Sequence, residues 1–70
     1  MKRLDAREAV EVEFRGRRFS GTFTTSTGMV HVISPFGRRS TQFTGAAPDS
    51  LARTLLMEIL READAAGILR

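Results

Sequence analysis

The stretch "FRGRRFSGTFTTSTGMVHVISPFGRRSTQ" (14–42) decides the fold of this chain. Apolar and polar residues alternate through it with period two, and turn-forming residues break the alternation at Gly16-Arg17, Thr27-Gly28 and 35–38. Side chains on a strand point to opposite faces in turn, so each uninterrupted run reads as a strand and each break as a hairpin. Upstream, "AVEVEFR" (9–15) continues the pattern, with Val10, Val12 and Phe14 on one face and Glu11, Glu13 and Arg15 on the other.

Register can be tested against burial, because a one-residue slip sends every apolar side chain to the wrong face. Taking Gly16-Arg17 as a type II′ loop, with glycine in the positive-φ position, pairs Phe14 with Phe19, Val12 with Gly21 and Val10 with Phe23. Thr27-Gly28 as the next loop pairs Phe23 with Val32 and Thr25 with Val30. A four-residue loop "PFGR" (35–38) then sets Val32 opposite Thr41 and Val30 opposite Phe43. All three turns give one common inner face. The reading is a four-stranded antiparallel meander over 9–44.

Beyond it, "APDSLARTLLMEILREADAAGIL" (47–69) repeats at helical spacing and predicts a helix over 48–66. Pro48 suits a first turn, Asp49 the positive end of the helix dipole, and Gly67 a C-terminal stop with Ile68 folding back on Ala63. Leu51, Leu55, Leu56, Ile59, Leu60 and Ala63 form one apolar stripe, which must cover the inner sheet face. Gly21, in a central strand, is expected to let that helix approach closely. The fold class is α+β.

The segments "GRRFSGTFT", "GMVHV", "GRRSTQ" and "PDSLARTLLMEIL" resemble a group of small proteobacterial proteins of ββββα pattern and unknown function, often found near mobile elements. The resemblance spans 12–60. It implies the ββββα arrangement and brings no activity, ligand or site residue.

Seventy residues allow a single domain, 1–70, with a small core. "MKRLDAR" (1–7) reads as a flexible arm, and since no apolar run follows it, no signal peptide is expected. No run approaches a membrane span. With no cysteine there is neither disulfide nor thiolate chemistry, and a cytoplasmic location is the expectation. Ten of the eleven cations are arginine, and the net charge is +3. That excess is too small to identify a partner by itself.

The inventory for catalysis is thin. His31 is the only histidine, and alternation puts it on the outer face between Thr24 and Gln42, neither of which would activate it or complete a metal site. Glu11 and Glu13 share a strand face but read as charge guards on an edge strand. No nucleophile elbow or phosphate loop is present in the sequence. A non-enzymatic protein without metal, cofactor, small-molecule substrate or membrane partner is expected.

Two surfaces stand out. On the outer face, Met29, His31 and Ile33 lie beside Ser40, Gln42 and Thr44, an uncharged patch reaching an unguarded strand-four edge. These six are the candidate protein-contact residues, and another protein or a second copy of the chain is the expected partner. An up-down meander also puts the first and third turns at one end. Arg15, Arg17, Arg18, Arg38 and Arg39 would then form a rim suited to phosphate, giving an alternative reading of weak, sequence-nonspecific nucleic-acid or polyanion binding.

Overall fold

In the computed structural model, residues 7–43, 45 and 47–69 are described. They form β1 (Glu8–Phe14), β2 (Arg17–Ser26), β3 (Met29–Ser34), β4 (Gly37–Gln42) and α1 (Pro48–Ala65). Residues 1–6 of the expected arm, and Thr44, lie outside the described residues. The strands pair antiparallel in the order β1-β2-β3-β4, and α1 packs across one face. The ββββα reading holds.

Two of the three hairpin registers differ from expectation, each by two residues. The first loop is Arg15-Gly16, with Phe14 opposite Arg17, Val12 opposite Phe19 and Val10 opposite Gly21. Arg15 and Gly16 both have positive φ, 54° and 76°, so the turn is type I′ rather than II′, the twist that suits a hairpin. The third loop is the two residues Pro35-Phe36, not four, which places Val32 opposite Arg39 and Val30 opposite Thr41. Ser34 closes it: its Oγ accepts the Phe36 N–H and donates to the Gly37 carbonyl, both at 3.1 Å. The middle register, with Phe23 opposite Val32 and Thr25 opposite Val30, is as expected.

A two-residue shift keeps every side chain on its face, so the core survives the change of register. Val10, Phe23, Val30 and Val32 from the sheet are buried against Ala52, Leu55, Leu56, Ile59 and Leu60. Ala52 joins the stripe, while Leu51 is only half-buried. At the helix start Pro48 occupies the first turn, and Asp49 pairs with Arg53 one turn on at 3.5 Å. At its end the Ile68 N–H reaches the Ala63 carbonyl (2.8 Å) and the Gly67 N–H that of Asp64 (3.0 Å). With Gly67 at φ 77°, this is a Schellman stop.

Gly21 has a different reason from the one expected. A Cβ there would meet the Ile33 carbonyl oxygen at 2.8 Å and Ser34 Cβ at 3.3 Å. The close approach is by β3, not by the helix.

Candidate protein-contact surface and arginine end

With α1 on the inner face, the outer face of the sheet is bare. Ile33 is 51% exposed there, flanked by half-buried Met29 and His31 and by the exposed Ser40 and Gln42 of β4. Cross-strand pairing sets Met29 opposite Gln42 and His31 opposite Ser40. His31 faces Thr24 on β2 as expected, but its β4 neighbour is Ser40, not Gln42. His31 Nδ1 and the Ser40 hydroxyl share a hydrogen bond of 2.8 Å. Five of the six contact candidates thus come together on one face, and the sixth is Thr44.

β4 pairs with β3 only, so its other side is a sheet edge. The direction of its free groups follows from one bond: the Phe43 N–H donates to the Gly28 carbonyl at 2.7 Å. Antiparallel ladders alternate, so the N–H groups of residues 37, 39 and 41 also turn toward β3, and those of Arg38, Ser40 and Gln42 turn outward. A shallow hollow of about 600 Å³ lies beside this face, bounded by Ala9, Glu11, Ser20, Thr22, Ile33 and Pro35.

The five arginines are not gathered on one rim. β2 pairs with β3 only over Thr22–Ser26, so the β1–β2 hairpin overshoots the third turn. Arg38 is level with Ile33 and Thr22, four residues short of Arg18. At ~3.3 Å per residue the two Gly-Arg-Arg segments are offset by roughly 13 Å along the strands. They also split between faces: Arg17 and Arg39 belong to the inner face, Arg18 and Arg38 to the outer.

Carboxylates engage Arg15, Arg18 and Arg39. Arg15 in its turn pairs with Asp64 at 3.0 Å, and Arg18 approaches Glu11 at 3.8 Å. Arg39 lies under α1, with Glu62 hydrogen-bonded to Nη2 and Glu58 3.4 Å from Nη1. Its side chain is 33% exposed, and Nε is buried without a hydrogen-bond partner among the described residues. The Glu62 hydrogen bond, and then the charges of Glu62 and Glu58, hold Arg39 more firmly protonated than an ordinary arginine. Arg38 has no ionic partner among the described residues.

Sequence reasoning set Phe14 opposite Phe19 but missed the arginines that lie over these rings. Phe19 meets Phe14 and Phe36 edge-to-face, with ring centroids 6.4 and 5.6 Å apart. Arg15 lies over Phe14 (5.9 Å) and Arg17 over Phe19 (5.1 Å), within cation–π range. With Asp64 and Leu69 they line a cleft of about 310 Å³. The available signal was adjacency, since Phe14 and Phe19 flank the arginines of the first turn and Phe36 precedes Gly37-Arg38-Arg39 of the third.

Among the described residues no group of three His, Asp or Glu could hold a metal ion, and no helix is long and apolar enough to cross a membrane. The chain matches no known protein family, no curated protein and no solved structure. Of the resemblance noted in the sequence, the ββββα arrangement is the part the structure shows.

Proposed function

We propose that this protein acts without catalysis, by binding another protein through the β4 edge and the outer-face patch beside it, most simply a second copy of itself. One observation carries this reading. β4 presents outward backbone groups at Ser40 and Gln42 with no charged side chain at 40–42 to guard them, next to an Ile33 that is 51% exposed. Natural sheets blunt such edges with charge, proline or a covering element, as β1 does with Glu8, Glu11 and Glu13. An edge uncharged over 40–42, with Arg38 and Arg39 confined to the first half of β4, beside an uncovered face is suited to strand addition.

The alternative of polyanion binding at the arginines draws less support. Salt bridges occupy Arg15, Arg18 and Arg39, and the hairpin offset separates the two Gly-Arg-Arg segments. A phosphate backbone would have to displace carboxylates to collect charge there.

The test is solution mass across a concentration series, for the wild-type chain, Gln42→Pro and Ile33→Lys. Proline at residue 42 removes an outward N–H and none of the β3 ladder, so it strikes the edge alone. Lysine at residue 33 places charge on the face alone. Concentration-dependent association weakened by either variant supports the reading. A monomer at every concentration removes self-association.

A further inference from the structure

We infer that the second copy adds to β4 antiparallel, on a two-fold axis at Ser40, so that two four-stranded sheets continue as one of eight strands. This rests on the self-association reading above and deepens it by assigning the contact and its register.

Parity comes first. Within β4, only Arg38, Ser40 and Gln42 turn their N–H and C=O outward, so among its residues these alone can form the hydrogen-bonded pairs of a new ladder. Isologous symmetry then restricts the register to a few choices. A two-fold at Arg38 sets Arg38 against its own copy, and one at Arg39 sets Arg39 against its own copy in the closer, non-hydrogen-bonded spacing. Like charges directly opposite are unfavourable on a sheet. A two-fold at Thr41 avoids both clashes but leaves Arg38 outside the ladder, with only Ser40 and Gln42 exchanging bonds.

The two-fold at Ser40 uses the whole outward row. Ser40 faces Ser40 of the second copy, Arg38 faces Gln42, and Arg39 faces Thr41. Each hydrogen-bonded pair exchanges two bonds, and no charge meets its like. Arg39, opposite an uncharged threonine, remains held by Glu58 and Glu62 of its own helix.

The axis stands perpendicular to the sheet, so both helices lie on one side. The outer faces join on the other side into a continuous surface, with the two His31–Ser40 pairs flanking the axis. Ile33, a strand further in, stays uncovered. An edge dimer thus predicts sensitivity to Gln42→Pro and indifference to Ile33→Lys.

Because the chain has no cysteine, single replacements report the register without background. Hydrogen-bonded antiparallel pairs hold their Cα atoms ~5.5 Å apart, inside the range a disulfide spans. Under mild oxidation Ser40→Cys should yield a covalent dimer, at least about tenfold more than Arg38→Cys or Gln42→Cys alone. An equal mixture of those two should cross-link to each other. If the wild type associates but Ser40→Cys fails to link, or Arg38→Cys links to itself instead, the register is overturned while the self-association reading stands. Monomeric mass throughout, with no link at residue 40, overturns both.

Discussion

Gly21 is a position where a single methyl group decides whether two strands can meet. An added Cβ would sit 2.8 Å from the Ile33 carbonyl oxygen, which is backbone and cannot swing aside. Gly21→Ala is expected to destabilise the chain by roughly 1–3 kcal/mol, the usual range for overpacking. The check is a lower urea midpoint with an unchanged slope. An unchanged midpoint would mean that β2 and β3 separate there at no cost. The neighbouring lesson is Arg39. As one of a doubled pair after a glycine it reads as part of a phosphate-suited rim, yet the two-residue third loop sets it opposite buried Val32 and under the helix. Arg39→Ala should therefore lower the midpoint, since Glu58 and Glu62 lose their shared cation. Arg38→Ala, on an exposed outer position, should stay within about 0.5 kcal/mol of wild type. Because Glu62 and Glu58 raise the Arg39 pKa above that of an ordinary arginine, the contribution of its charge is present at neutral pH and falls away as pH rises into strong alkali, above the ordinary arginine range.

Among the elements, the hairpin loops show how far alternation can be read. Period two distinguishes the faces of a strand but is blind to a slip of two, and both misread registers are slips of two. Inner and outer sets, the sheet order and the helix stripe were therefore legible, because each depends only on parity or on helical spacing. The neighbours of His31 and Arg39 across the β3–β4 pair, and the offset of the first hairpin, were not, because they depend on loop length. The first loop misled for a specific reason: glycine sits second in it, and a non-glycine residue, Arg15, takes the first positive-φ position. Thr27 does the same at φ 47°, a strained setting for a β-branched residue. Thr27→Asn should recover about 1 kcal/mol by supplying the Asn-Gly pair a type I′ turn prefers. Arg15→Asn offers the same relief but gives up the Asp64 pair and the contact over Phe14, so its gain should be smaller. Thermal melts of the two variants side by side test this, and equal gains would mean that the Asp64 pair adds nothing.

At the scale of the whole molecule, the question is whether a sheet covered on one side and held, among the described residues, by ten buried apolar side chains works as one copy or two. Association binds the native state and not the unfolded chain, so it links stability to concentration by mass action. Each tenfold change in concentration is worth ~1.4 kcal/mol per dimer. Unfolding enthalpies run near 0.7 kcal/mol per residue, so two chains of this length should melt with ~100 kcal/mol together. A tenfold rise in concentration should then raise the melting temperature by about 5 °C, provided the dimer is the species that unfolds. Gln42→Pro should flatten that dependence, because it removes the edge N–H without touching the core. Ile33→Lys should leave the slope as it is if the edge, rather than the face, carries the contact. A second copy bound through the outer face would reverse the two results. Superimposable melts for the wild-type chain over a hundredfold range of concentration would leave the uncovered face and the bare β4 edge to a partner of different sequence.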